Sequence, residues 1–178
     1  MNSYKVLNNQ IFFIDSFSIV PIRYEDRMTI LKWRNEQIYH LRQDKPLTEL
    51  DQDNYFNNVV NKLFDQDRPN QILFSYLEND VCIGYGGLVH LNWYDKTGEI
   101  SFVMDTNLEK DHFEFHWKTF LKMIEKTAFM ELDLKKIYTH AYDLRPLLYS
   151  ALEKQNFIKE KTYTDIDGNK VIIHSKYK

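Results

Sequence analysis

No apolar run among the 178 residues approaches the roughly 20 that a membrane-spanning helix needs, and the opening MNSYKVLNNQ has no basic stretch leading into an apolar one. Neither a membrane partner nor a secretory leader is expected. Cysteine is nearly absent: Cys82 stands alone, which excludes an internal disulfide and agrees with a reducing, cytoplasmic setting. No lysine or arginine cluster breaks a formal charge of −3, so the electrostatic footprint of a duplex nucleic-acid binder is missing. Glycine and proline are scarce, at five and four, and no linker, repeat or low-complexity segment divides the chain.

What is present is an ordinary globular composition, 43% hydrophobic and 28% charged, with an aromatic share of 15% that predicts a well-packed body. The length suits one domain with a sizeable core. Cys82 lies in the apolar strand pattern VCIGYGG with no basic flank to lower its pKa, so it reads as a buried structural thiol. The glycines of GYGG lie mid-strand with no following helix, which points to close backbone approach by a ligand, or to a bulge, rather than a nucleotide loop.

Periodicity and turn signals predict a strand at 17–23, a helix at 24–35, a short second helix at 36–46 and a helix at 47–64. Three antiparallel strands follow at 71–77, 81–93 and 97–105, then a helix at 113–130, a strand at 135–143, a helix at 144–155, and a closing hairpin of 157–163 with 170–178. The long helix between the strands at 97–105 and 135–143 allows that pair to be parallel, so the sheet is expected to be mixed. Residues 4–14 suggest a hairpin turning at Asn8 and Asn9, and residues 1–16 read as an appendage to a domain covering 17–178.

Chemistry concentrates at 97–130, where the strand TGEISFVMD passes through a charged and aromatic loop into a helix N-terminus, a place where backbone N–H groups can hold an anion. His112 and His116 have the i, i+4 spacing of a metal pair, but no third ligand stands with them, and no metal is expected.

The order of elements, with the phrases SIVPIRYEDRMTILKWRNE, CIGYGGL, GEISFVMD and ALEKQNFIKE, resembles the GNAT family of N-acetyltransferases over residues 17–178. Trp33, Arg34 and Asn35 look most like its subgroup that acetylates nucleotide-linked amino sugars and relatives that acetylate protein N-termini. The resemblance implies an α/β fold with a mixed, largely antiparallel sheet and helices on both faces. It also implies a transferase that moves acetyl from acetyl-CoA, its co-substrate, to the primary amine of a small molecule. The amine must lose a proton before it attacks, and Glu99 matches the position where many family members keep the base. The backbone of Ser101, Phe102, Val103 and Met104 corresponds to the strand that pairs with the pantetheine arm. Trp33, Arg34, Asn35, His40 and Arg42 correspond to the acceptor wall, and His90 with Trp93 ends a central strand facing it.

The departures are also legible. Phe115, His116 and Trp117 occupy the place of the family's small pyrophosphate-loop residues, leaving Lys110, His112, His116 and Lys118 as alternative cations. Arg145 and Leu152 stand where an Asn and a proton-donating Tyr are common; Arg145 counts as a cofactor contact, and Tyr149, one turn before Leu152, is the replacement acid or else a packed ring. Two other readings stay open, a protein N-terminal acetyltransferase and a non-catalytic acyl-CoA-binding module. A homodimer is compatible with all three.

Overall fold

The computed structural model describes residues 2–178. Eight strands form one sheet, in the order β1-β2-β3-β4-β5-β6-β8-β7. They are β1 (Phe12–Ile14), β2 (Phe17–Pro21), β3 (Ile72–Glu78), β4 (Val81–Asn92), β5 (Thr97–Met104), β6 (Lys136–Tyr142), β7 (Ile158–Thr164) and β8 (Lys170–Tyr177). Every neighbouring pair is antiparallel except β5 and β6, the pair joined through a long helix. The mixed, largely antiparallel sheet expected from the sequence is what forms.

Five helices accompany it: α1 (Arg27–Glu36), α2 (Glu49–Tyr55), α3 (Asn61–Leu63), α4 (Thr106–Lys126) and α5 (Pro146–Glu153). A π-helical turn at Phe56–Val60 joins α2 to α3, so the helix expected over 47–64 is present with an interruption. The two faces of the sheet are told apart by consecutive residues of β3. The Ser75 hydroxyl donates to Asp26 at the start of α1, 2.6 Å away, whereas the Tyr76 hydroxyl meets His116 Nδ1 of α4 at 3.0 Å. Successive strand residues point to opposite faces, so α1 and α4 cover opposite sides.

Three expectations need correction. The proposed hairpin within 4–14 does not form; β1 pairs with β2, and Tyr4 is buried with its hydroxyl bonded to the Leu73 carbonyl at 2.8 Å. The segment taken for an appendage therefore contributes to the same core and sheet. The second helix over 36–46 reduces to a 3₁₀ turn at Ile38–His40, after which the chain bends as a loop that Asn35 pins by exchanging hydrogen bonds with the Leu47 backbone at 2.8 and 2.9 Å. Finally, α4 begins at Thr106 rather than Phe113. The Asp105 carboxylate caps it, accepting from the Asn107 and Leu108 N–H groups at 2.9 and 3.3 Å, and Glu109 suits its first turn. His112, with φ −133° and ψ 26°, breaks the helix, so the segment that packs on the sheet restarts at Phe113, where the sequence placed its beginning.

Candidate active site

The parallel pair β5 and β6 is hydrogen-bonded only at its start, with Thr97, Gly98 and Glu99 opposite Lys136, Ile137 and Tyr138. Beyond Glu99 the strands part. β5 remains paired with β4 up to Met104, and β6 with β8 up to Tyr142, so each turns an unpartnered backbone edge toward the gap. The resulting cleft, about 410 Å³, is lined on one arm by residues 99–103 and on the other by residues 139–142. Unpaired strand edges must be satisfied, and an extended ligand carrying amide groups is a suitable partner. The backbone expected to serve at Ser101, Phe102 and Val103 thus lies on the cleft. Met104 does not line it, and its carbonyl accepts from Gln37 Nε2 at 2.7 Å.

Close approach of β4 keeps β5 in place. A Cβ at Gly86 would lie 2.1 Å from the Ser101 carbonyl oxygen, so only glycine fits there. The backbone that approaches Gly86 is that of β5, where the sequence suggests a ligand or a bulge. Further along β4 the register slips between Val89 and Asn92, and His90 takes a φ of 50°. The irregularity turns His90 into the cleft, with Nε2 3.9 Å from Glu99 Oε2.

Glu99 sits at the apex of the cleft and is 4% exposed. Arg42 Nη2 donates to its Oε1, and Arg42 Nη1 donates to His140 Nδ1 at 2.9 Å. His140 in turn meets the Tyr163 hydroxyl through Nε2 at 3.1 Å. Burial pushes the Glu99 carboxyl above its ordinary range, opposed by the charges of Arg42 and His90. Burial and the nearby Arg42 charge push His140 down, which suits a neutral ring accepting from Arg42.

At the open end of the cleft, Arg145 Nη2 pairs with Glu109 Oε1 at 2.8 Å and Nη1 reaches His40 Nδ1 at 3.3 Å. The guanidinium lies over the Phe113 ring at 4.8 Å and the Trp117 ring at 5.9 Å. Burial raises the Glu109 carboxyl, but hydrogen bonding from His40 and the Arg145 charge outweigh it and hold it below the usual carboxylate range. Burial lowers Arg145, with Glu109 opposing.

The candidates from sequence therefore divide. Glu99, Arg34, Arg42, His90, Trp117 and Arg145 come together on the cleft with Ser101, Phe102 and Val103. Trp33 does not; it is buried and its Nε1 donates to Asp105 at 3.1 Å. Asn35 is committed to the Leu47 loop. His116 is buried among Tyr76, Phe17 and Phe115, on the core side of α4. His112 and Lys118 are exposed and outside the lining. Tyr149 stacks on His174 at 5.4 Å and donates to the Tyr142 carbonyl at 2.9 Å, away from the cleft lining. His140 and Glu109 were not anticipated: neither belongs to a motif, and only the pairing of β6 and the early start of α4 bring them in.

The acetyltransferase (GNAT) domain family matches residues 19–144 of the chain. Curated protein sequences yield no match. Among solved structures, the chain is similar to spermidine N-acetyltransferase from Vibrio cholerae in complex with CoA and spermine, at 14% identity and a TM-score of 0.78 over 92% of this chain and 96% of that one. A dodecameric form of the same Vibrio cholerae enzyme in an intermediate state superposes with a TM-score of 0.72 at 17% identity, covering 92% and 95%. At such identities the likeness bears on the fold.

Proposed function

The chain belongs to the GNAT acetyltransferase family, and from that premise we propose that it transfers acetyl from acetyl-CoA to the primary amine of a small molecule that also carries an anionic group, a nucleotide-linked amino sugar being the best fit. The observation that carries this reading is the lining of the cleft: three arginines and three histidines face a single carboxylate, Glu99. Arg34 donates its Nε to Gln43 at 3.0 Å and, among the described residues, has no carboxylate within ion-pair distance. A polyamine, the kind of molecule bound by the Vibrio cholerae structure, would meet the Arg34 and Arg42 guanidiniums with Glu99 as the one carboxylate on the lining. A phosphate-bearing acceptor would meet guanidinium forks suited to it.

The unpartnered edge of β5 over Ser101, Phe102 and Val103 fits an extended amide-bearing arm, and this supports acetyl-CoA as the donor. When bound, acetyl-CoA supplies the acyl group and a thiolate leaving group. Glu99 removes a proton from the acceptor nitrogen, directly or through one water. Arg42 and His90 favour the ionised form of Glu99 against the burial that raises it. Arg34 orients the anionic end of the acceptor.

A thiol-release assay over a panel of amines tests the reading. Nucleotide-linked amino sugars are expected to be turned over with a higher kcat/KM than spermidine or an N-terminal peptide. Preference for spermidine would overturn the acceptor assignment, and absence of thiol release with every amine would overturn the transferase assignment.

A further inference from the structure

We propose that Arg145 is the receptor for the pyrophosphate of coenzyme A in this chain, and that the Glu109 carboxylate occupies its place until the nucleotide binds. The inference rests on the acetyl-CoA reading given above. Phosphates are often held at helix N-termini, but here that position is taken: Asp105 accepts from the Asn107 and Leu108 N–H groups at the start of α4. Phe115, His116 and Trp117 leave no small residues for a backbone cradle at the restart of the helix.

The anion site is built instead from side chains that span the open end of the cleft. Glu109 follows β5 and Arg145 follows β6, so their 2.8 Å ion pair bridges the two arms where they are farthest from their shared pairing. Arg145 lines the cleft, yet its side chain is only 11% exposed and its guanidinium is stacked on Phe113. A cation so placed needs an anion at rest, because an unpaired buried charge is costly. A phosphate offers the same oxygen geometry with more charge, so exchanging Glu109 for phosphate leaves Arg145 satisfied. His40, whose Nδ1 accepts from Arg145, has its Nε2 between Gln37 Oε1 at 3.3 Å and Glu109 Oε2 at 3.8 Å, and turning that N–H from Gln37 to Glu109 would keep the released carboxylate partnered. The carboxylate is thus both a placeholder and a competitor, and deleting its charge should strengthen nucleotide binding while weakening the fold.

Calorimetric titration of CoA and of dephospho-CoA into the full chain, Glu109→Gln, Arg145→Gln and the double variant tests this. Glu109→Gln is expected to bind both ligands about tenfold more tightly, and Arg145→Gln at least about tenfold more weakly. Glu109→Gln should add no tightening in the Arg145→Gln background. The thermal midpoint of Glu109→Gln should fall even as its affinity rises, a split that a purely structural ion pair would not produce. Weaker or unchanged binding by Glu109→Gln overturns the inference. Arg145→Lys gives a reading that does not depend on Glu109: it should bind more weakly than the wild type and more tightly than Arg145→Gln, and affinity equal to the wild type overturns the assignment. No acceptor is present in these titrations, so a phosphate of the acceptor as the true occupant would show as CoA affinity indifferent to every Arg145 variant. Absence of CoA binding by both the wild type and Glu109→Gln would remove the acetyl-CoA reading together with this one. Wild-type binding untouched by the substitutions would remove this one alone.

Discussion

Glu99 and Tyr138 are the last residues at which β5 and β6 are paired, so the carboxylate of Glu99 stands where the sheet opens. An ionisable group at that point is both buried by the joined part of the sheet and reachable from the open part. Its carboxyl is raised by burial, restrained by Arg42 and His90, and faces the space a ligand between the strands would occupy.

Replacing Glu99 by Gln keeps the shape and removes the base. A drop of about 100-fold or more in kcat is expected, typical of losing a positioned general base. A carboxylate base acts when ionised, so kcat/KM should rise with pH through its pKa, and burial places that limb above the usual glutamate value of about 4.3. The pH–rate profile checks both parts: the limb should vanish in Glu99→Gln, and full turnover by that variant would exclude Glu99 as base.

Arg42 separates two roles that a simple loss of activity would confuse. Its charge favours ionised Glu99, so Arg42→Gln removes an influence that lowers the carboxyl, and the acidic limb of kcat/KM should move to higher pH. If Arg42 touched only the acceptor, KM would rise and the limb would stay where it is. Arg42 is 42% exposed at its side chain but Glu99 only 5%, so Arg42→Gln leaves a buried carboxylate without its partner and the thermal midpoint should fall; the position of the limb, not stability, separates the two roles.

How far the site was legible in the sequence follows from what kind of signal each residue leaves. Strand alternation and short turns place β3, β4 and β5, while Glu99 and the backbone that faces the cleft stand out only through the resemblance to the GNAT family. Arg42 and His90 are visible as polar residues near element ends, although their meeting at Glu99 depends on a register slip in β4 and a pinned loop after α1 that no local pattern encodes. The start of α4 lies in DTNLE, which lacks the apolar periodicity of a helix, and the signal it does carry is Asp105 as a cap followed by an acidic first turn. Trp33 and His116 look like ligand-facing residues in sequence; their burial against Asp105 and Tyr76 is a tertiary fact.

Cys82 gives a prediction about reactivity. It is half-buried, its Sγ lies 3.3 Å from the Gly84 carbonyl, and its thiol is pushed up to about 12, first by burial and then by the nearby Asp26 carboxylate. At pH 8 the thiolate fraction is about one in ten thousand, so a disulfide reagent should label the native protein far more slowly than the denatured chain. Stopped labelling with mass detection reads the ratio. Native labelling as fast as that of the denatured protein would contradict the burial described here.

Gly86 tests the cleft from behind. A Cβ there would lie 2.1 Å from the Ser101 carbonyl oxygen, 2.9 Å from the Phe102 Cα and 3.0 Å from the Phe120 ring, so alanine fits only if β4 and β5 move apart. Two of those atoms are backbone and cannot rotate away. Overpacking of this kind costs on the order of 1–3 kcal/mol, and Gly86→Ala should unfold at a correspondingly lower denaturant midpoint. The displaced atoms belong to Ser101 and Phe102, whose other edge faces the cleft, so the same substitution should weaken CoA binding although no side chain that meets the ligand is changed. Urea unfolding and CoA titration on one preparation check the pair of effects. Lower stability with unaltered CoA affinity would show that the ligand does not depend on the β5 edge, and would shift the donor site away from the gap between β5 and β6.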